Sequence, residues 1–160
     1  MTPDQERRLL DTADRIEIAD VMHRYAWGID FWDWAMLDEV FDLDVEGDFS
    51  SVKQYVGGDG IVRGREGLVG WLRNSLLKFP DVLHFMSNHM VQLRGDTASV
   101  TTYMHVMHMP MGGIYHCEMV RRPEGWRISR FRLAERTFNE AADRLTAHMS
   151  ATHLAGQTGP

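Results

Sequence analysis

The sequence predicts a single α+β domain in which N-terminal helices wrap a curved antiparallel sheet. Apolar residues recur at helical spacing in the first half of the chain, whereas the alternation typical of strands dominates after Val82. Glycine- and proline-rich turns separate these strands, so that sequence neighbours can pair. Helices followed by a meander are typical of α+β folds. We expect the domain to span residues 1–150 and residues 151–160 to form a disordered tail.

Three helices are predicted in the first half. The first covers residues 5–27, with Gly28 as its stop, because glycine readily adopts the left-handed conformation that ends helices. Asp33 is the expected N-cap of the second helix, and the third covers residues 65–79. The residues expected on their buried faces are Ile18, Met22, Tyr25 and Ile29, then Trp34, Leu37, Val40 and Phe41, then Leu68, Leu72, Leu76 and Phe79.

Five strands are predicted from period-two alternation and the turns between them. They cover residues 45–50, 82–93, 98–109, 114–121 and 126–135. A glycine-rich loop is expected over residues 53–64, and a closing helix over residues 137–149. A sheet of this kind, wrapped by helices on one side, leaves a concave mouth suited to a ligand.

Composition argues against several classes of function. The net charge of −6 and the absence of a Lys/Arg run argue against nucleic acid as a partner. No apolar run approaches the roughly 20 residues that a membrane-spanning helix needs. The charged N-terminus has no signal-peptide core, so a cytoplasmic location is the default expectation. The single cysteine, Cys117, rules out an intrachain disulfide and is interpreted as a small apolar filler.

Motifs whose order and spacing match those of one protein family occur along the chain. Residues 25–34, YAWGIDFWDW, are similar to the end of that family's first helix. The His-x-x-x-Asn of residues 84–88 and the Gly-Asp-x-Ala of residues 95–98 match its characteristic strand pair. The Gly-Trp-Arg-Ile of residues 125–128 matches the start of its final strand. The chain thus resembles SnoaL-like members of the nuclear-transport-factor-2-like superfamily. The resemblance covers about residues 8 to 138 and implies a cone-shaped α+β barrel.

The resemblance also implies a catalytic pair, Asp30 and His84. Scytalone dehydratase, bile acid 7α-dehydratase and hexachlorocyclohexane dehydrochlorinase belong to this superfamily, and all three are lyases. They use an Asp and a His that project into the cone, with the His as base. An imidazole suits this task because it exchanges protons near neutral pH, and a carboxylate beside it fixes its tautomer. The alternative role for Asp30 is that of a turn or capping residue.

Two further residues are candidates for catalysis. Tyr25 shares the buried helix face and can donate a hydrogen bond to a substrate oxygen, although a purely structural aromatic is an equal alternative. His108 falls on the position of a second pocket histidine in scytalone dehydratase. Strand alternation supports it, because His108 shares a face with Ala98 and the apolar residues that follow it at every second position. The same alternation turns His105 outwards.

Six residues are predicted to bind substrate. Asn88 shares a face with His84 if that strand is regular, where it either orients a ligand or completes strand hydrogen bonding. His116 with Glu118 offers a polar wall, although an exposed strand face is an equal alternative. Arg130, with Arg132, shares a face with the final strand's apolar residues and suits an anionic group, although surface ion pairs are the simpler interpretation. The predicted set is Asn88, His116, Arg130, Trp34, Phe49 and Met104.

Neither a metal nor a cofactor is expected. Alternation splits both His105/His108 and His84/His89 across the two faces of their strands, and no nucleotide-binding motif is present. With the Asp30–His84 pair that the resemblance implies, the favoured function is a cofactor-independent lyase that dehydrates a hydrophobic small molecule. The alternatives are an isomerase or polyketide-type cyclase using the same pair, and a non-catalytic ligand-binding or interaction module. Tyr103, Met107 and Met109 on the outer sheet face predict a homo-oligomer, a dimer or trimer.

Overall fold

The computed structural model describes residues 1–53, 58–78, 81–107 and 111–137, which contain two helices and six strands. The helices are α1 (Pro3–Asp30) and α2 (Arg65–Leu76). The strands are β1 (Phe41–Asp48), β2 (Ile61–Arg63), β3 (His84–Arg94), β4 (Thr97–Val106), β5 (Met111–Arg122) and β6 (Gly125–Thr137). The α+β class predicted from the sequence is confirmed.

The six strands form one curved, unclosed sheet in the order β2-β1-β6-β5-β4-β3. The last four strands are an antiparallel meander, as the short turns between them predict. Strand β1 pairs with β6 in parallel, which the sequence analysis did not anticipate. This pairing is possible because α2 and four strands separate β1 from β6 along the chain, and a parallel pair needs a long connection.

Helix α1 is two residues longer at its start and three longer at its end than predicted. It begins with a capping box, in which the Thr2 hydroxyl accepts the Gln5 N–H and the Gln5 side chain accepts the Thr2 N–H. Its first half is largely exposed, and its apolar face is buried from Ile18 onwards. That face packs against β3 and β6, while α2 packs against β1 and β2. Both helices therefore contribute side chains to the hydrophobic core that they form with the sheet.

Gly28 does not end α1. It lies inside the helix because Leu37 packs onto it: a Cβ at this position would come within 2.8 Å of Leu37 Cδ2. The predicted second helix is also wrong, since between α1 and β1 the chain forms a single 3₁₀ turn, Met36–Asp38. Asp33 is not its N-cap, which is Ala35, but the Asp33 carboxylate accepts the Met36 N–H at 3.2 Å. The chain then enters β1 at Phe41, within the stretch predicted to be helical.

Several predicted boundaries differ from the structure. Helix α2 ends at Leu76 rather than at residue 79, and β5 begins at Met111, where a turn was expected. Phe79, most of the predicted closing helix and the predicted tail lie outside the described residues. Within the described part of the chain, neither helix combines the length and the apolar character required to cross a bilayer.

An ion pair ties the exposed half of α1 to the turn between β5 and β6. Both terminal nitrogens of Arg121 donate to the carboxylate of Asp14 at 2.6 Å, and the indole N–H of Trp126 donates to the same group at 3.2 Å. The guanidinium lies 4.5 Å above the Trp126 ring centroid. The Arg121 guanidinium holds the pKa of the Asp14 carboxyl below its ordinary value, against the opposing effect of burial.

Candidate active site

Asp30 and His84 meet where α1 ends and β3 begins. The Asp30 Oδ1 lies 2.6 Å from the His84 Nδ1, and its Oδ2 accepts the backbone N–H of His84 at 2.8 Å. The two side chains are only 6% and 8% exposed. The pair joins residues that are 54 positions apart in the sequence. One carboxylate therefore fixes both the imidazole and the start of the strand that carries it.

The position of Asp30 is electrostatically unfavourable without His84. It is the last residue of α1, whose final turn contains no basic residue, and a carboxylate there faces the negative end of the helix dipole. Burial adds a desolvation penalty. The two N–H donors of His84 offset both effects. The chain leaves the helix sharply through Trp32, whose φ of 59° is uncommon for a bulky residue.

The contact determines the tautomer of His84 when the ring is neutral. An ionised carboxylate only accepts hydrogen bonds, so the Nδ1 next to Asp30 carries the proton. The Nε2 then presents an unshared electron pair. A histidine arranged in this way can accept a proton at Nε2, and the adjacent carboxylate stabilises the resulting imidazolium.

A second pair of polar groups lies in the core close to Asp30. The hydroxyls of Tyr25 and Tyr115 are 3.3 Å apart, and the two residues are 1% and 2% exposed. Burial raises the pKa of Tyr25 well above its ordinary value, with Tyr115 and the Asp30 charge adding to the rise. Burial likewise raises the pKa of Tyr115. Both phenols therefore remain protonated donors at neutral pH.

Tyr115 is absent from the residues predicted from the sequence. The signal that identifies it is the apolar alternation of β5, in which Tyr115, Cys117 and Met119 all face the core. The prediction instead concentrated on the polar residues between them. Burial raises the pKa of the Cys117 thiol, which disfavours a thiolate and agrees with its interpretation as a filler.

Three of the predicted substrate-binding residues belong to or border the core. Phe49 and Met104 are buried, and Trp34 is half-buried against the same core. The Phe49 ring lies 4.5 Å from that of Trp71, centroid to centroid. The inward face predicted for β4 is confirmed from Ala98 to Val106. His108 lies outside the described residues, and the enclosed pocket around the Asp30–His84 pair stays a prediction.

The predicted orientation of Asn88 is wrong because β3 contains a bulge. The register with β4 shifts between Ser87 and Met90, and Asn88 has a φ of 56°. Asn88 is exposed, whereas His89 turns towards α1. For the same reason His84 and His89 lie on the same side of β3, not on opposite sides as alternation predicted. Among the described residues, no group of three or more potential metal ligands occurs.

The remaining predicted binding residues lie on the outer face of the sheet. His116 is exposed and lies beside Thr101. A bulge at Ser129 in β6 inverts the alternation, so that Phe131 faces inwards and Arg130 faces outwards. Arg130 pairs with Glu46 at 3.6 Å, and Arg132 pairs with Asp48 at 3.7 Å, so the proposed anion-binding role of either arginine lacks support. His105 is also exposed, as predicted.

The outer face also carries the residues on which the predicted self-association depends. Tyr103 is 52% exposed there, and Met107 is half-buried. Met109 lies outside the described residues. The oligomer stays a prediction.

Comparison with known proteins identifies the family. A model of the SnoaL-like domain matches residues 11–132. The uncharacterised protein Rv2910c of Mycobacterium tuberculosis is 31% identical over 141 residues, which cover 78% of this chain and 89% of that protein. The matched segment contains both members of the Asp30–His84 pair.

Two solved structures show the fold. An NTF2-like protein with a cystatin-like fold from Novosphingobium aromaticivorans has a TM-score of 0.69 at 23% identity, covering 84% of this chain and 89% of that one. A scytalone dehydratase-like protein from the same organism has a TM-score of 0.67 at 18% identity, covering 79% and 87%. At these identities the likeness concerns the fold alone. Together with the SnoaL-like match, it shows that this chain belongs to the SnoaL-like domain family and has the cone-shaped NTF2-like fold.

Proposed function

We propose that this protein is a cofactor-independent lyase that removes water from a hydrophobic small molecule by Asp–His acid–base catalysis. The observation that carries the proposal is the two-point contact between Asp30 and His84 in a site nearly closed to solvent. Membership of a family that includes dehydratases and dehydrochlorinases supports the type of reaction. The contact also favours an enzyme over a non-catalytic module, because burying a carboxylate beside an imidazole is costly unless the arrangement has a role.

The first step is proton abstraction. The His84 Nε2 takes a proton from the carbon next to a substrate carbonyl, since Nδ1 is already committed to Asp30. The electrons of the broken C–H bond form the new double bond. Asp30 stabilises the imidazolium and keeps the ring in place while it is charged.

The second step is departure of the hydroxyl. The bond between the β-carbon and its oxygen breaks, and the oxygen takes a proton to leave as water. Tyr25, whose raised pKa keeps it protonated, assists this oxygen by hydrogen bonding, and His108 is the alternative donor. The proton held by His84 leaves with the water, which balances the reaction and restores the neutral base.

The rate enhancement requires more than the base. General acid–base catalysis contributes about 10²–10⁴-fold, so positioning and the electrostatics of the site must supply the remainder. Val106 lies opposite His84 across the β3–β4 ladder and is buried, as are Ile29, which precedes Asp30, and Met104. Such surroundings exclude water and strengthen the electrostatic interactions of the few polar groups present. They also match a hydrophobic substrate.

The test is turnover of a panel of hydrophobic β-hydroxy carbonyl compounds, with products identified by mass. A lyase gives a product lighter by one water, whereas an isomerase or cyclase acting through the same pair does not. We expect His84→Ala to abolish nearly all turnover while the folded state is retained. His105→Gln on the outer face is the matched histidine control and should leave the rate unchanged. Full activity of His84→Ala would reject His84 as the base.

A further inference from the structure

A second histidine pair joins α1 to β3 away from the catalytic pair. The Nε2 atoms of His23 and His89 face one another at 3.3 Å, with the ring planes inclined at 59°. His23 is exposed on α1, and His89 is half-buried after the bulge at Asn88. The bulge brings His89 to this side of the strand. Neither residue has a role in the proposed dehydration.

Two arrangements fit this contact. At 3.3 Å the two nitrogens are within reach of an N–H···N hydrogen bond, and the same separation suits two nitrogens that share one ion. The Nδ1 of His89 is buried and has no hydrogen-bond partner. Two histidine nitrogens bound tetrahedrally to one ion, each about 2.05 Å from it, lie about 3.3 Å apart. The observed separation therefore matches two adjacent ligands of a tetrahedral metal.

We propose that His23 and His89 bind one divalent transition-metal ion, of which Zn²⁺ is the representative, through their two Nε2 atoms. Since the described residues contain no group of three potential ligands here, water completes the coordination. Neutral imidazole pairs select borderline ions such as Zn²⁺, Ni²⁺ and Cu²⁺ over Mg²⁺ and Ca²⁺, which prefer oxygen. The exposure of His23 gives the ion direct access from solvent.

The site would act as a clamp between the two elements that carry the catalytic pair. His23 precedes Asp30 by seven residues, or about 10 Å along the helix, and His89 follows His84 by five residues. Because α1 and β3 run in opposite directions, the His23–His89 and Asp30–His84 pairs connect them at two separate positions along their lengths. Metal binding requires both elements to be in place, and it therefore stabilises the folded state.

The experiment uses the full chain, stripped of metal with a chelator and titrated with Zn²⁺ by calorimetry. We expect one binding event that depends on both histidines, so that His23→Gln and His89→Gln each weaken it at least tenfold. His116→Gln, which removes a surface histidine from the outer face, should leave it unchanged. Mg²⁺ should show no binding.

Thermal unfolding provides the second measurement. At a hundredfold excess of Zn²⁺ over its dissociation constant, the unfolding midpoint of the wild type should rise by about 5–10 °C. The exposed His23→Gln variant should fold normally and lose this rise. The proposal is overturned if the wild type binds no Zn²⁺, or if the His23→Gln variant binds it as tightly and is stabilised as much as the wild type.

Discussion

Asp30 contacts His84 twice, once through the imidazole Nδ1 at 2.6 Å and once through the backbone N–H at 2.8 Å. The ring contact determines which nitrogen of the neutral ring is left to accept a proton, and the backbone contact anchors the first residue of β3. Because an amide can keep the second contact while reversing the first, the chemical and structural roles of Asp30 can be separated by a single substitution.

Asp30→Asn is expected to preserve the fold and inactivate the base. The amide oxygen can still accept the His84 backbone N–H, while the amide N–H₂ donates to Nδ1 and forces the proton of the neutral ring onto Nε2. Turnover should fall about 10²–10⁴-fold, the contribution of a general base. Nitrogen-15 NMR of the histidine rings should show His84 protonated at Nδ1 in the wild type and at Nε2 in the variant.

The NMR measurement does not require the substrate to be known. An unchanged His84 tautomer in a folded Asp30→Asn protein would contradict the assignment of Asp30 as the orienting group. His84→Gln is the companion variant: it should lose turnover to a similar degree, and combining the two substitutions should cost little more, because both disable one unit.

Tyr25→Phe tests the buried hydroxyl pair. The substitution leaves the Tyr115 hydroxyl without its partner in the core, so the free energy of unfolding should fall by about 1–2 kcal/mol. Tyr115→Phe should cause a similar loss, and the double variant should lose less than the sum of the two. Urea unfolding of all four proteins measures this coupling. Strictly additive losses would show that the hydroxyls do not interact.

The same variants separate catalysis from stability. If Tyr25 contacts the leaving oxygen, Tyr25→Phe should lower kcat more than Tyr115→Phe, although the two affect stability alike. Equal effects on kcat would indicate that both tyrosines act only through the packing of the core.

The sequence predicted the parts of the fold that follow regular periodicity. The buried face of α1, the inward face of β4 and the meander all depend on spacing that continues without interruption. The pairing of Asp30 with His84, by contrast, came from family resemblance. No local pattern indicates that a residue at the end of a helix will meet one 54 positions later.

The errors arose where the backbone leaves that periodicity. One extra residue in β3 turns Asn88 outwards and His89 towards α1. One extra residue in β6 places Phe131 on the inner face of the sheet and Arg130 on the outer face, the reverse of the prediction. A bulge shifts every later side chain to the opposite face, so one unseen insertion reverses a whole set of predictions. Both bulges lie in sequences that contain no glycine or proline to reveal them.

Asp14→Asn should make the free energy of unfolding less dependent on pH in the acidic range. The carboxylate has a lowered pKa in the folded state, so its contribution is present above the ordinary value near 3.8 and is lost as pH falls through the folded value. At pH 7 the variant should be less stable by about 1–2 kcal/mol, a figure reduced for solvent screening because Arg121 is 35% exposed. Towards pH 2 the difference in free energy of unfolding between the wild type and the variant should approach zero.

The control is Asp4→Asn, which breaks the exposed Asp4–Arg7 pair on the same helix. It should change stability by less than about 0.5 kcal/mol at pH 7, because exposed ion pairs contribute little. Denaturant unfolding at several pH values compares the two variants. A pH-independent difference for Asp14→Asn would mean that its charge does not provide the stabilisation.

Gly28→Ala and Gly70→Ala should change stability in opposite directions, although both place alanine inside a helix. Alanine is favoured over glycine there by about 1 kcal/mol, and at Gly70 nothing lies within 4 Å of the added Cβ, so α2 should be stabilised. At Gly28 the new Cβ meets Leu37 Cδ2 at 2.8 Å in the closed core, and the overpacking should outweigh the helical gain, for a net loss of about 1 kcal/mol. Shortening Leu37 to valine in the Gly28→Ala background should recover part of that loss, as measured by urea unfolding. A stabilised Gly28→Ala protein would show that Leu37 moves aside freely, and that Gly28 is not needed for the close approach of the 3₁₀ turn to α1.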